Sequence, residues 1–210
     1  SFGKESSGIT LTMWRRLVLY PKKTSGSILR NNPNNTEKAG NPYMLLSKET
    51  TVRLTNEQVN ILGHMNFAAS KLWNICNYER KNYKELGLDK YPDWYYQKSV
   101  HKNDMWFKSL PSQTAQEICK QLDKSWKSFY KLKKTGGIQN PQPPRFKHDG
   151  IPITYMQNGI KVVSPTSLRL ALPKQLKEYM LSNYGINADY LFLENEIFQN
   201  VGTVKQLKIY

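Results

Sequence analysis

Apolar residues recur at three- and four-residue intervals in two long stretches of the chain, and this spacing predicts two amphipathic helices. The first opens at Thr55, whose T-x-x-Q pattern with Gln58 is typical of a capping box, and it runs for about 25 residues. The second begins after Pro111 and ends at Gly136-Gly137, because the prolines that follow cannot continue a helix. Two long helices therefore occupy the central part of the chain.

Shorter elements surround these helices. A short helix is predicted at 94–101, and a β-favouring run at 51–54 precedes the first long helix. After residue 150 the pattern changes to short strand-like runs, which are 151–155, 160–163, 168–172 and 204–210. Asn158-Gly159 separates the first two runs and predicts a hairpin turn. The order of elements predicts an α+β fold, with the helices inserted between the first strand and the rest of a small sheet or barrel.

The first 47 residues are predicted to be a poorly structured N-terminal extension. They contain turn and loop signals, such as Asn31-Asn32-Pro33-Asn34-Asn35, without a sustained period of apolar residues. The pattern predicts one short strand in this region, at 17–20. No chemistry is predicted in this part of the chain.

The charge of the chain indicates a polyanionic partner. Lys and Arg number 31 against 16 Asp and Glu, which gives a formal net charge of +15. Nucleic acid is the first candidate and an anionic membrane surface the second. Eight cations fall within residues 120–148, where Asp123 is the only acidic residue. No apolar run is long enough for a membrane-spanning helix or the core of a signal peptide.

The sequence shows no pattern typical of a catalytic or metal site. Cys76 and Cys119 both lie on apolar stripes and are predicted to be core thiols. The three histidines have no ligand spacing, and there is neither a Gly-rich phosphate loop nor an acidic pair at a strand end. We therefore expect a binding module without enzyme activity, metal or cofactor.

Candidate nucleic-acid contacts come from the polar faces of the helices and from the segment after the second one. Lysines neutralise phosphates without regard to sequence, whereas amides donate and accept and can distinguish bases. The candidates on the first helix are Lys71, Asn74, Asn77, Arg80 and Lys81. Those on the second helix are Gln113, Thr114, Gln116, Lys120, Lys124, Lys127 and Lys131, followed by Arg145 and Lys147. Tyr78, Tyr83, Tyr95 and Tyr96 are candidates for stacking on bases.

Each of these candidates has a simpler structural interpretation. Capping and solvation of a helix surface explain the amides and lysines equally well. Core packing is favoured for Trp73, Trp126 and Phe146.

One stretch of the chain resembles a known family. It runs Ser109-Leu110-Pro111-Ser112-Gln113-Thr114-Ala115-Gln116, continues through the apolar and lysine-rich helix, and closes with Pro143-Pro144-Arg145-Phe146-Lys147. Lys71-Leu72-Trp73-Asn74 and the final Gly202-Thr203-Val204-Lys205-Gln206-Leu207-Lys208-Ile209 agree with it. These motifs are similar to the TnpB (OrfB) proteins of bacterial insertion sequences, which are related to type V CRISPR effectors. The resemblance covers roughly residues 48–210.

The resemblance implies a wedge-type, OB-like β-barrel formed by 48–55 and 144–210, interrupted by a helical recognition bundle at 56–143. In the family these domains bind guide RNA and double-stranded target DNA, and base pairing reads most of the sequence. The family's RuvC-like catalytic carboxylates and zinc ribbon follow the last wedge strand, where this sequence ends, so cleavage is not carried over and the nuclease is missing or supplied elsewhere. The implied location is the prokaryotic cytoplasm, at the nucleoid, without a membrane partner.

Two other functions remain open at this point. The chain can be a self-contained DNA-binding repressor or accessory protein, active without cleavage. It can also be a helical protein–protein interaction module whose charge is incidental.

Overall fold

The computed structural model describes residues 11–19, 44–136, 139–199 and 203–210. The helices are α1 (Asn56–Lys81), α2 (Trp94–Val100), α3 (Met105–Lys108), α4 (Ser112–Thr135) and α5 (Lys174–Tyr184). The strands are β1 (Leu11–Leu19), β2 (Met44–Val52), β3 (Ile153–Met156), β4 (Ile160–Ser164), β5 (Ser167–Ala171), β6 (Tyr190–Glu194) and β7 (Thr203–Ile209). Among the described helices, none is both long and apolar enough to cross a bilayer.

The two long helices confirm the prediction from apolar spacing. At the start of α1, Thr55 accepts a hydrogen bond from the Gln58 N–H, and the Gln58 side chain accepts one from the Thr55 N–H. This is the predicted capping box. At the end of α4, Gly136 has a φ of 66°, in the left-handed region that glycine adopts without strain. The short helix predicted at 94–101 is α2.

The strands form two small antiparallel sheets. One has the order β2-β1-β7-β3 and the other the order β4-β5-β6. The fold is therefore α+β, as predicted, and neither sheet closes into a barrel within the described strands. All of the helices α1 to α4 lie in the chain between β2 and β3, the two edge strands of the larger sheet.

The structure differs from the prediction for the first 47 residues. Residues 11–19 form β1, which pairs along its whole length with β2 and also with β7. The predicted strand at 17–20 is thus part of a longer strand, up to Leu19. Residues 44–47 of the predicted extension belong to β2, and residues 1–10 and 20–43 lie outside the described residues.

The predicted hairpin at Asn158-Gly159 is wrong. The strands on either side of it belong to different sheets, because β3 pairs with β7 and β4 pairs with β5. The local turn preference is overridden by these pairings, and residues 157–159 form a single 3₁₀ turn between the sheets. Gly159 has a different role here, since a Cβ at this position would lie 3.1 Å from the Tyr155 ring.

Side-chain hydrogen bonds join the helices to both sheets. Thr114 of α4 donates to the carbonyl oxygen of Thr154 in β3 at 2.8 Å. Gln58 of α1 donates to the carbonyl oxygen of Phe192 in β6 at 2.7 Å. The buried Tyr155 hydroxyl of β3 donates to a carbonyl oxygen of β5 at 3.1 Å. These bonds fix the start of α4 against the larger sheet and the start of α1 against the smaller one.

A buried ion pair joins α1 to α4. Arg80 Nη1 lies 2.9 Å from Asp123 Oδ1, and the Arg80 side chain is fully buried. The sequence interpretation of Arg80 as a nucleic-acid contact is therefore corrected, because its guanidinium has no exposed surface to offer a phosphate. Lys127 lies 2.7 Å from the second oxygen of Asp123. Burial raises the pKa of Asp123, but hydrogen bonds from Lys127 and Arg80 outweigh it and hold that pKa below its usual value.

We expect Asp123→Asn to lower the free energy of unfolding by about 3 kcal/mol at pH 7, because it leaves the buried Arg80 charge unpaired. The pKa of Asp123 is lower in the folded than in the unfolded chain, so its contribution is complete above the unfolded pKa and is lost as pH falls through the folded one. Urea unfolding should show the difference in unfolding free energy between variant and parent narrowing as pH falls below the unfolded pKa of about 3.9. Asp89→Asn, at an exposed acid, is the control, and an equal effect of both variants would contradict the assignment.

Candidate nucleic-acid interface

One face of α4 carries a continuous row of lysines. Residues three and four apart share a helix face, and Lys120, Lys124, Lys127, Lys131 and Lys134 follow this spacing. We call these five residues the lysine stripe. At a rise of 1.5 Å per residue the stripe is about 21 Å long. The buried residues of α4, among them Ile118, Leu122 and Trp126, lie on the opposite side of the helix and pack against α1.

Few acidic side chains neutralise the lysine stripe. Lys120 pairs with Glu117 at 2.7 Å, and Lys127 pairs with Asp123, whose charge is shared with Arg80. For Lys124, Lys131 and Lys134, the described residues provide no ion pair, and all three side chains are exposed. The stripe is therefore a strongly cationic surface.

At its N-terminal end the lysine stripe meets a polar cleft of about 340 Å³. The cleft lies between the start of α4, the connection from β3 to β4, and β7. Its lining includes Gln113, Gln116, Glu117, Lys120, Met156, Gln157, Asn158 and Lys205. We call it the amide cleft, because four carboxamides and two lysine ammonium groups line it. Lys205 Nζ donates to Gln157 Oε1 at 2.9 Å.

The amide cleft brings together three of the sequence-predicted residues, which are Gln113, Gln116 and Lys120. Sequence reasoning missed Gln157, Asn158 and Lys205. The polar tripeptide before β4 indicates only a turn, and the contribution of Lys205 depends on the pairing of β7 with β3. That pairing joins segments far apart in the chain, which local sequence patterns do not reveal.

A second cationic surface lies where residues 144–149 cross α1. Side chains of α1 hydrogen-bond the backbone of this segment, which we call the strap. Ser70 donates to the carbonyl oxygen of Asp149 at 2.7 Å, and Trp73 Nε1 donates to that of Arg145 at 3.1 Å. Asn74 makes two bonds to the backbone of Lys147, donating to its carbonyl oxygen at 2.8 Å and accepting from its N–H at 2.7 Å.

Because its backbone is held by α1, the strap presents its side chains to solvent. Arg145, Phe146 and Lys147 are all exposed. Lys81 of α1 lies over the Phe146 ring at 4.5 Å, so Phe146 is not the core residue that sequence favoured. Lys71, also on α1, is exposed as well. Asn74 holds the strap in place, and its amide is not free to read a base.

Two further candidates have structural roles instead of the predicted contacts. Asn77 is fully buried, and its amide donates to the carbonyl oxygen of Pro144 at 3.0 Å and accepts from Trp126 Nε1 at 2.9 Å. Thr114 is also buried, with its hydroxyl bonded to β3. The predictions that they contact nucleic acid are wrong for this conformation, because the protein already uses their polar atoms. Core packing of Trp73 and Trp126 is confirmed.

Aromatic side chains of α2 lie beside the lysine stripe. The Trp94 and Tyr95 ring centroids are 3.8 Å apart, and Tyr95 is 59% exposed. Lys98 and Lys120 lie over the Trp94 ring at 4.8 and 4.9 Å. Tyr95, Tyr96 and Tyr78 are exposed, as a stacking residue must be, while Tyr83 is half-buried against the Tyr91 ring. Through Trp94, the exposed Tyr95 ring adjoins Lys120 at the N-terminal end of the lysine stripe.

No protein-family model matches the chain, and no curated protein matches it. Its function therefore has to be inferred from its own residues and their contacts. Those residues form three surfaces, which are the lysine stripe, the amide cleft and the strap.

We expect Asn77→Ala to lower the free energy of unfolding by about 2 kcal/mol, because two buried groups, Pro144 O and Trp126 Nε1, are left without partners. Sequence selectivity in nucleic-acid binding should be unchanged. Chemical unfolding measures the first effect, and selection from a randomised DNA library measures the second. Asn60→Ala, at an exposed position of the same helix, should change neither. A stable Asn77 variant with altered selectivity would contradict the structural role.

Proposed function

We propose that this chain is a nucleic-acid-binding module, corresponding to the N-terminal portion of a TnpB-like transposon protein that contacts guide RNA and double-stranded target DNA. One observation carries the proposal, namely that the lysine stripe runs directly into the amide cleft on a single face of α4. Lysines bind phosphates at any sequence, whereas carboxamides can bind base edges. This face of α4 thus combines lysines, which supply affinity for the phosphate backbone, with carboxamides, which can recognise base edges.

The dimensions of the stripe suit a nucleic-acid backbone. Duplex DNA carries one charge per about 1.7 Å of its axis with both strands counted, so a length of about 21 Å contains about twelve phosphates, distributed around the duplex. Five lysines over that length can each meet a phosphate. The exposed Arg145 and Lys147 of the strap add two cations on a rigidly held backbone. The resulting affinity should fall steeply with salt.

The division of the fold into two domains is part of the same proposal. We assign 48–55 and 144–210 to a wedge-type, OB-like β-barrel unit, which β1 and the first residues of β2 join because they pair into the same sheet. We assign 56–143 to a recognition bundle. The insertion of α1 to α4 between two edge strands of one sheet supports this division. β7 lies within the motif at 202–209, which resembles the last wedge strand of the family. On this proposal the chain acts in the prokaryotic cytoplasm, and cleavage is the task of a nuclease domain elsewhere.

One observation favours a protein–protein role as the second candidate. A cleft of about 610 Å³ lies between α1, α3 and α5, and its lining is rich in aromatic residues, among them His64, Phe67, Trp106 and Tyr179. Its walls are mostly apolar, unlike the amide cleft. If the chain binds neither RNA nor DNA, this apolar cleft becomes the main candidate for a binding surface. A chain that binds a specific duplex without RNA would instead be a repressor or accessory protein.

Replacing Lys124, Lys127 and Lys131 with Ala should weaken binding to RNA and DNA nearly uniformly across sequences. Removing three phosphate contacts should also flatten the plot of log affinity against log salt by about 2–3 units of slope. Fluorescence anisotropy over a salt series measures both quantities. The matched control replaces Lys84, Lys90 and Lys102, three exposed lysines outside α4, and changes the net charge equally. Equal losses in both triple variants would show that only total charge matters, which would contradict a binding stripe.

Gln113→Ala and Asn158→Ala should reduce discrimination between DNA motifs. The expected loss is about 1–3 kcal/mol for each bidentate hydrogen-bonded contact with a base that the substitution removes. Affinity for non-specific DNA should stay close to that of the parent, because the stripe is intact. Selection from a randomised duplex library, with and without RNA from the same source, measures the motif and its stringency. Gln139→Ala, an exposed amide beyond α4, is the control. If the two variants select the parent's motif with the parent's stringency, the amide cleft does not read sequence.

A further inference from the structure

Three side chains with metal-ligating atoms meet inside the helical bundle. Cys76 and Glu79 lie one turn apart on α1, and His101 follows α2. One ligand atom from each of these three residues lies within 4.8 Å of the other two. The buried Cys119 thiol of α4 neighbours the Cys76 thiol and raises the pKa of Cys76, but its sulfur is not among the three ligand atoms that lie within this distance of one another. We call Cys76, Glu79, His101 and Cys119 the Cys–His cluster.

We propose that the Cys–His cluster binds one Zn²⁺ ion. Cys76, Glu79 and His101 supply a thiolate, a carboxylate and an imidazole to the ion. In this proposal the Cys119 thiolate shifts towards them and becomes the fourth donor, because zinc in structural sites is almost always four-coordinate. Mg²⁺ and Ca²⁺ prefer oxygen ligands, so the two sulfur atoms argue against them. The inference does not depend on nucleic-acid binding and concerns how the bundle is held together.

The surroundings of the cluster resemble the outer shell of a zinc site. Metal-bound histidines usually donate their other ring N–H to a carboxylate or carbonyl oxygen, which fixes the orientation of the ring. His101 Nδ1 hydrogen-bonds Asp104 Oδ2, and its Nε2 points inwards, 2.9 Å from Glu79 Oε1. Gln97 donates to Glu79 Oε2 at 2.9 Å and to the Cys76 carbonyl oxygen at 2.8 Å. Two ligands therefore already have partners that orient them.

Burial and charge also fit a closed structural site. Cys76 and Cys119 are fully buried, and His101 is nearly so. The side chains of Glu79 and Asp104 are 17% and 43% exposed, which leaves a path for an ion from that side. Two thiolates and a carboxylate bring three negative charges to a doubly charged ion. The neighbouring Arg80 guanidinium offsets part of the remaining charge.

Protons compete with zinc for these ligands. In the chain without metal, burial lowers the pKa of His101, but hydrogen bonds to Glu79 and Asp104 outweigh it and raise that pKa to about 9. His101 is then an imidazolium that bridges two carboxylates. Zinc has to displace this proton and those of the two thiols, as metal binding to such ligands generally does. Zinc affinity should therefore be measured at a fixed, stated pH.

The experiment uses the full chain without an affinity tag. The chain is reduced, freed of metal with a chelator, and titrated with ZnCl₂ in competition with a chromophoric chelator, and bound metal is counted by mass spectrometry after gel filtration. We expect one zinc per chain and a higher melting temperature with zinc than with chelator. Substitution of Co²⁺ should give thiolate-to-metal charge-transfer absorption in the near ultraviolet, which reports cysteine ligation directly.

Variants test which residues hold the ion. Cys76→Ser and His101→Gln should weaken zinc binding by more than about 100-fold, beyond the usual effect of an outer-shell change. Asp104→Asn keeps all four ligands and should weaken it by about 10–100-fold. His64→Gln, the same change on α1 outside the cluster, should leave it unchanged. Circular dichroism checks the fold of each variant. If a ligand variant does not fold, the zinc affinity of Asp104→Asn tests the site instead.

Three results would overturn the proposal. The first is a parent chain that takes up no zinc at equimolar concentration. The second is a cobalt-loaded chain without charge-transfer absorption. The third is equal zinc affinity in the parent, Asp104→Asn and every folded ligand variant, because the ion would then be on surface histidines.

Discussion

The contact between α1 and α4 depends on satisfying polar groups that the contact itself buries. Asn77 is the central case, because its one amide accepts from the indole of Trp126 on α4 and donates to the strap. A buried polar group without a partner costs a folded chain more than a surface one, so these bonds specify a single alignment of three segments. The nearby pair of Arg80 and Asp123 adds a second constraint on the same alignment.

The exposed face of α4 is a consequence of that alignment. Once Trp126 and its apolar neighbours are turned towards α1, the 3.6-residue period puts the lysines on the opposite side. The bond from Thr114 to β3 then holds the first turn of α4 against the larger sheet. Polar residues from the connection between the two sheets thereby reach the N-terminal end of the stripe. The core residues of α4 and the proposed binding surface therefore lie on opposite sides of the same helix.

The sequence predicts those parts of the molecule that local patterns determine. The Thr55 capping box places the start of α1, and apolar spacing between Pro111 and Gly136 places both ends of α4, nearly to the residue. Prediction fails where distant segments decide the outcome: β6 has apolar residues on both faces and lacks a clean alternation, so no strand is predicted there. A polar residue on a helix looks the same in sequence whether it faces solvent or a buried partner, which is why the pattern suggests a surface role for Asn77. The members of the Cys–His cluster are spread from Cys76 to Cys119 and have no short motif.

The course of the strap depends on its backbone atoms and not on the side chains that it carries. Side chains of α1 bind carbonyl oxygens and an N–H of the strap, and every residue type offers these carbonyl oxygens. The outward side chains at 145–148 make no part of those hydrogen bonds. Evolution or protein design can therefore exchange them while the loop keeps its course. A helix that recognises backbone in this way is a scaffold on which ligand preference can diverge quickly without a new fold.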